Sequence, residues 1–546
     1  MTVADLVRAR RGDERIGLIF EDQRWTWDQW VQGCIQRAAL IRDLAPPGRP
    51  LHIGVLLDNT PDFSMLLGGA ALAGATVVGL NPTRRDSELA RDITVTDCSM
   101  IVTERKYWEL FDDLDVPVAA DDRYMVDSYE WTALLSARVD AEDPLVPLSG
   151  DDLFMLIFTS GTSGNPKVVR CTHTKITQPG TAVINLLDLT TADIAYLSMP
   201  LFHSAGVMAG WSTTLTLGST VVLKRRFSAS EFLPDVRHYG ATWFHYIGKP
   251  LAYILATPPQ PDDADNPLRV AIGNEGTFAD VSDFERRFGV SIIDGYGSTE
   301  SGINLVRNSE TPLNSLGAMP EGVAVIHLDT GEPCPPAEFD ADGRLLNAEA
   351  AIGELVNLEG PGNFVGYYGN PEADKERVVD GRFRSGDLAY VDRNGFAYFA
   401  GRTQDWMRVD GENIATEPIE RLIQRHPSVM LVSVYAVPNA TVGDDVMAAI
   451  VLHEGAATDV DELVTFIRAQ RDLGTKWLPR YIRLAGTLPQ TSTNKVLKRV
   501  LARERWECDD PVWFRPGRDD FRPLGPGDAA ALRDQFASRS REHVLL

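Results

Sequence analysis

The sequence predicts an α/β protein. It has a large N-terminal domain of two doubly wound α/β subdomains plus a small β-subdomain, and a small α+β domain at the C-terminal end. Three observations predict this. Short apolar β runs alternate with amphipathic helical stretches across residues 1–300, the pattern of parallel sheets covered by helices. Strand ends break into glycine- and hydroxyl-rich segments, which is where open α/β sheets place ligands. The chain has 546 residues, too many for one hydrophobic core.

Taken in order, Ile16–Phe20 and Arg24–Trp27 read as a hairpin and Trp27–Leu44 as a helix. Leu51–Leu57 is an apolar strand, Asp62–Ala73 a helix, Val77–Leu80 a strand, Asp86–Val95 a helix and Met100–Thr103 a strand. Trp25, Trp27 and Trp30 read as core aromatics. Phe154–Phe158 is a buried strand. The alternation resumes with strands at Ile194–Met199, Ser219–Leu223, Thr242–Tyr246, Leu268–Ile272 and Val290–Ile293. Helices are expected after His203, at Ser228–Tyr239 and at Gly248–Ala256. Residues 305–400 turn to short strands and Gly/Pro turns, a small β-subdomain. The last part carries helices at Glu417–Arg425 and Asp459–Gln470 and strands at Met430–Val437 and Met447–Leu452.

Charge and cysteine content narrow the function. Lys and Arg total 53 against 77 Asp and Glu, a net charge of −24. Such a surface repels nucleic acid and anionic lipid, so neither is a charge-driven partner; a peripheral membrane contact stays open. Cys34, Cys98, Cys171, Cys334 and Cys508 are scattered and never in C-x-x-C spacing, which speaks for a reducing compartment and against a cysteine zinc site. The N-terminus has no apolar core of signal length. The most apolar run, Ser64–Leu80, is interrupted by four glycines and reads as a buried helix and strand. A cytoplasmic protein is expected.

The chemistry centres on Leu156–Arg170. After its strand comes Thr159-Ser160-Gly161-Thr162-Ser163-Gly164-Asn165-Pro166-Lys167. Glycines let backbone N–H groups turn inward, and hydroxyls and a lysine add donors, so the segment suits phosphate oxygens. It is not a Walker A loop, because Pro166 and Val168 stand where glycine and a hydroxyl belong. The string resembles the phosphate-binding signature of the adenylate-forming superfamily: acyl-CoA synthetases, luciferases and peptide-synthetase adenylation domains. The superfamily's other motifs follow in order.

Pro200-Leu201-Phe202-His203-Ser204 resembles the motif whose histidine, here His203, lines the acyl and pantetheine passage. Trp243–Tyr246 reads either as acyl-pocket wall or as core. Gly273-Asn274-Glu275-Gly276 matches the loop that packs on adenine, but Asn274 and Glu275 replace its usual small residues. The string AIGNEG and the later RRFGV instead resemble the fatty-acid transport protein and very-long-chain acyl-CoA synthetase branch. In Asp294-Gly295-Tyr296-Gly297-Ser298-Thr299-Glu300, the Tyr296 ring suits purine stacking. Gly295 and Gly297 let backbone approach the nucleotide, Thr299 offers a hydroxyl to the α-phosphate, and Glu300 is a hard-oxygen ligand for Mg²⁺.

Gly353-Glu354-Leu355 and Gly366-Tyr367-Tyr368 match a structural motif. Asp387 matches the ribose aspartate, an acceptor-only carboxylate able to take both sugar hydroxyls. Arg402 joins it at the ribose. The resemblance then implies an N-terminal AMP-binding domain over residues 1–403 and a mobile C-terminal domain over 405–546, with a hinge near Gln404 where the family has Asp or Lys. Gly411 would shape the pantetheine tunnel. Lys495 is the candidate catalytic lysine, following Asn494 rather than the usual glycine; Lys498 and Arg499 are expected to be solvated. The implied activity is ATP- and Mg²⁺-dependent ligation of a fatty or steroid side-chain acid to coenzyme A through an acyl-adenylate. The rivals are an acyl-AMP ligase loading a carrier protein and a ligation-defective lipid-binding or uptake protein. Acyl length and oligomeric state are not readable from the sequence.

Overall fold

The computed structural model describes the whole chain except residues 160–165, 277, 308–309, 313, 342–344, 403–406, 410–411, 442, 457, 471–472, 475, 492–494, 518–520, 540 and 546, and the side chains of 278–279, 402, 408, 412–413 and 543. It divides into two compact units. The first comprises Met1–Gly276, Asp280–Gly302 and Asn363–Glu376; the second comprises Thr277–Ala279, Ile303–Gly362 and Arg377–Leu546.

The first unit contains two sheets. Its strands are β1 (Ile16–Phe20), β2 (Gln23–Thr26), β3 (His52–Leu56), β4 (Thr76–Gly79), β5 (Met100–Thr103), β6 (Arg123–Met125), β7 (Leu153–Thr159), β8 (Lys167–Thr172), β9 (Ile194–Leu197), β10 (Thr220–Leu223), β11 (Trp243–Ile247), β12 (Val270–Asn274) and β13 (Ser291–Tyr296). One sheet runs β6-β5-β3-β4-β7-β8, the other β13-β12-β11-β9-β10-β1-β2. Neighbours are parallel except β7/β8 and β1/β2. The continuous apolar runs of β3, β4 and β5 are buried throughout, as parallel strands covered on both faces require. The glycine-rich segment therefore joins two antiparallel strands, with Thr159 opposite Lys167.

Helix boundaries follow from capping. Thr26 forms a capping box with Gln29 at the start of the helix Trp27–Asp43. Thr60 caps Pro61–Ala73, which has proline at its first turn and ends on Gly74 at φ +68°. This helix and β4 account for the apolar run 64–80; among the described residues, no helix is long and apolar enough to cross a membrane. Trp27 and Trp30 are buried and meet edge to face at 5.3 Å. Trp30 Nε1 and Trp211 Nε1 both donate to Ser64 Oγ at 3.0 Å, so these aromatics are core.

The second unit holds β14 (Leu305–Val306), β15 (Gly317–Ala318), β16 (Val323–Ile326), β17 (Gly353–Asn357), β18 (Val378–Val379), β19 (Arg382–Val391), β20 (Phe396–Arg402), β21 (Met407–Val409), β22 (Glu412–Ile414), β23 (Val429–Pro438), β24 (Asp444–Leu452), β25 (Tyr481–Leu484), β26 (Val512–Phe514) and β27 (Arg522–Pro523). An antiparallel sheet runs β15-β20-β19-β17-β16, and a five-stranded one β23-β24-β25-β26-β27. The helices Thr416–Gln424 and Val460–Ala469 bury apolar stripes against the latter.

Burial raises the pKa of all five thiols: Cys334 to about 11, Cys98 and Cys171 to about 12, and Cys34 and Cys508 likewise upward.

Candidate active site

In the first unit, β9, β11, β12 and β13 are parallel neighbours, so their C-terminal ends share one edge of the sheet. Residues predicted to follow strands prove to lie inside them. β12 runs through Gly273 and Asn274, and β13 through Asp294, Gly295 and Tyr296. Pairing with β11 and between β12 and β13 continues to Ile247↔Asn274 and Asn274↔Gly295, which extends both strands past their apolar runs.

This edge is tightly tied. Tyr246 Oη donates to the buried Asp294 carboxylate at 2.7 Å, and Gly276 N donates to the same oxygen at 3.0 Å. Asn274 Nδ2 donates to Gly295 O at 2.7 Å. A Cβ on Gly273 would lie 2.4 Å from the Tyr246 ring, so packing alone demands glycine there. Glu275 turns at φ +65°. Asp294 and Gly273 thus build the platform on whose end the half-buried Tyr296 sits. Gly297 is exposed.

The aromatic string of β11 divides by strand alternation. Phe244 and Tyr246 pack with Phe232, Phe284 and Phe288 in the core. Trp243 and His245 point to the opposite face, buried, and Trp243 Nε1 and His245 Nδ1 have no hydrogen-bond partner among the described residues. Burial pushes His245 down to about 4.

His203 follows β9 in the turn that begins at Pro200. His203 N donates to Pro200 O at 3.1 Å, and its Nδ1 accepts from Ala205 N at 3.4 Å. The expected helix after it opens as a π-helical stretch, Ala205–Trp211, before regular helix at Ser212–Leu217; π turns concentrate at functional sites. Ser204 Oγ and Thr299 Oγ1 are 2.8 Å apart, joining the His203 turn to the Thr299-Glu300 turn.

Glu300 is buried, 7% exposed. Tyr367 Oη donates to its Oε1 at 2.9 Å. The Lys167 ammonium lies 5.2 Å over the Tyr367 ring and 3.1 Å from Glu376 Oε2. Lys175 Nζ donates to Glu300 O at 2.9 Å. Sequence reading missed Lys175, Ser204 and Glu376, and saw in Tyr367 only a structural motif. The available signal was Lys175 itself, a lysine in the first turn of a helix, where the dipole disfavours a cation.

The donor set suits Mg²⁺: one buried carboxylate with a neighbouring hydroxyl. Among the described residues no group of three His, Cys, Asp or Glu could hold a metal ion, and Mg²⁺ is ordinarily held by one or two carboxylates with phosphate oxygens. Thr159 ends β7, its Oγ1 3.4 Å from Lys167 O. Ser160, Gly161, Thr162, Ser163 and Gly164 lie outside the described residues.

In the second unit, Asp387 on β19 faces Arg402 on β20 in register. The turn before it is clamped: Glu354 accepts from Arg384 Nε at 2.6 Å and Gly386 N at 2.8 Å, and Asp387 N donates to Ser385 Oγ at 3.0 Å. Thr491 N donates to Lys495 O at 2.8 Å and Lys495 N to Thr491 Oγ1 at 3.1 Å. Lys498 corrects an expectation. It is not solvated but half-buried, 2.8 Å from both Thr416 Oγ1 and Glu420 Oε1, because its helix, Lys498–Glu504, packs on β23. Arg499 is exposed as expected. Gln404, Gly411 and Asn494 lie outside the described residues, as does the Arg402 side chain.

The AMP-binding enzyme family matches residues 7–368, and the AMP-binding enzyme C-terminal domain matches 418–495. The medium/long-chain-fatty-acid–CoA ligase FadD17 of Mycobacterium tuberculosis is 46% identical over 512 residues, covering 94% of this chain and 98% of its own. The steroid-22-oyl-CoA synthetase of Rhodococcus jostii is 43% identical over 550 residues, covering 100% and 99%. Among solved structures, the anthranilate CoA ligase AuaEII in complex with anthranoyl-AMP shares the fold, with a TM-score of 0.79 over 92% of this chain and 96% of its own at 20% identity. The chain belongs to the AMP-binding enzyme family, within the adenylate-forming superfamily.

Proposed function

We propose that this enzyme is an AMP-forming acyl-CoA synthetase that joins a medium- to long-chain fatty acid or a steroid side-chain acid to coenzyme A, working in the cytoplasm. One observation carries the reading: two relatives that match along nearly the whole chain are a medium/long-chain-fatty-acid–CoA ligase and a steroid-22-oyl-CoA synthetase.

The reaction has two halves. A carboxylate oxygen attacks the α-phosphorus of ATP, and the bond to pyrophosphate breaks. The thiol of coenzyme A then attacks the acyl carbonyl, and AMP leaves. Thr299 would donate to the α-phosphate and Tyr296 would stack on adenine. Asp387 and Arg402 would hold the ribose, and Lys167 with the segment 159–164 the outer phosphates. Glu300 would hold Mg²⁺, which supplies charge neutralisation at the triphosphate. Lys495 would neutralise the charge developing between carboxylate and phosphate, the kind of fixed electrostatic help that carries reactions between anions. The domain beyond residue 404 would then rotate about Gln404, withdrawing Lys495 and bringing Gly411 to the pantetheine passage beside His203.

The test is a mass-resolved assay with ATP, Mg²⁺, coenzyme A and a panel of fatty and steroid acids. Trp243 Nε1 and His245 Nδ1, buried without a partner among the described residues, are reason to include acids with a polar group far from the carboxylate. Acyl-CoA is expected, with adenylate formation reduced on the order of 10²–10³-fold in K495A, the scale of removing one preorganised charge-stabilising group. Acyl-adenylate without thioester would point to a carrier-protein acceptor. Absence of AMP and pyrophosphate with every acid would overturn the reading.

A further inference from the structure

Lys175 stands where a lysine is doubly disfavoured. It lies in the first turn of the helix His173–Leu187, at the positive end of the dipole, and it is only 3% exposed. A buried ammonium needs compensation from its surroundings. Here the surroundings are the turn that carries Glu300. Nζ donates to Glu300 O at 2.9 Å and lies 5.9 Å from the Phe364 ring.

The same turn is fixed at every residue. Thr299 Oγ1 meets Ser204 Oγ at 2.8 Å, and the Glu300 carboxylate accepts from Tyr367 Oη. Ser301, at φ +56°, donates to Ser298 O at 3.0 Å and accepts from Asn363 N at 3.2 Å. A non-glycine residue in left-handed backbone persists only where its neighbours over-determine it. Of these fixing contacts, the one from Lys175 grips the peptide of Glu300 itself and brings a positive charge.

We infer that Lys175 is a positioning residue for the metal–nucleotide site: it holds the Glu300 peptide so that the carboxylate and the Thr299 hydroxyl face the triphosphate, and sets a positive charge behind them. This rests on the proposed role of Glu300. It also explains why the lysine is buried, since a solvated one would fix nothing.

The experiment titrates Mn²⁺ with a non-hydrolysable ATP analogue, read by electron paramagnetic resonance, for the full-length wild type, K175M, K175R and E300Q. Melting temperatures are measured alongside. Groups behind a metal ligand typically govern metal affinity by about 10–100-fold. K175M is expected to weaken binding about tenfold without lowering the melting temperature, since Met fills the volume and removes a buried charge. K175R, keeping charge and donors, is expected to restore part of the binding. Wild-type binding by K175M would overturn the inference, as would parallel loss of binding and stability in K175M and K175R. If E300Q itself binds the metal–nucleotide normally, the assignment of Glu300 fails and the inference falls with it; weakened E300Q beside an unaffected K175M removes the inference alone.

Discussion

Gly273 lies against the Tyr246 ring, and Tyr246 in turn holds Asp294. A Cβ at 2.4 Å from that ring must push aside a side chain whose hydroxyl is committed at 2.7 Å. G273A is therefore expected to lose about 1–3 kcal/mol, the ordinary range for overpacking, measured by urea unfolding. The glycine was legible in the sequence as part of a nucleotide loop, but its physical reason was not. The partner that demands it is on another strand, and the Tyr246–Asp294 contact spans 48 residues of sequence. Tyr367 and Glu300 are 67 apart, Lys175 and Glu300 125 apart. Local patterns mark which residue types are present; such pairings arise only when the sheet is assembled.

Strands and helices were largely readable, because apolar periodicity and caps are local. The helix Asp86–Val95 and the strand Met100–Thr103 stand as expected. The ends of β12 and β13 were not readable, since hydrogen bonding to neighbours carries them past their apolar runs. Nor was the π-helical stretch after His203, where Gly206 fits so closely that a Cβ would lie 2.2 Å from Pro200 O. At the start of the helix His173–Leu187, His173 Nδ1 accepts from Val3 N at 3.2 Å, tying down the N-terminal helix Val3–Arg8. Burial pushes this imidazole down to about 4. The folded state thus favours the neutral ring. Its contribution is present above the unfolded value of about 6.5 and is lost as pH falls toward 4. The melting temperature should fall between about pH 7 and about pH 5 less steeply in H173N, which keeps an acceptor without titrating.

At the scale of the whole molecule, the second unit carries a half-buried ionic group between the β15-β20-β19-β17-β16 sheet and the five-stranded sheet. Arg421 is 3.5 Å from Tyr390 Oη, and Tyr390 stacks on Tyr398 at 5.1 Å. Burial pushes Glu420 up, but the Lys498 ammonium, the hydrogen bond from Glu417 and the Val434 N–H together hold it below its ordinary value. Glu417 is raised to about 7 by burial and by the charge of Glu420. A carboxyl raised on folding stabilises below its unfolded value of about 4.5, and that contribution disappears as pH rises through about 7. Wild type should therefore lose melting temperature between about pH 5 and about pH 8, and E417Q should lose less. None of this was legible beforehand, for Lys498 read as a surface lysine beside Lys495.

The thiols described earlier acquire a chemical meaning once the reaction is set beside them. An acyl-adenylate is attacked by whichever sulfur is ionised, and the thiolate, not the thiol, is the nucleophile. With all five cysteines shifted upward by burial, the protein keeps its own sulfur protonated near neutral pH. Cys171, four residues before Lys175, is as muted as the rest. The activated acyl group then meets one competent sulfur, that of the incoming cosubstrate, and the enzyme is spared from acylating itself.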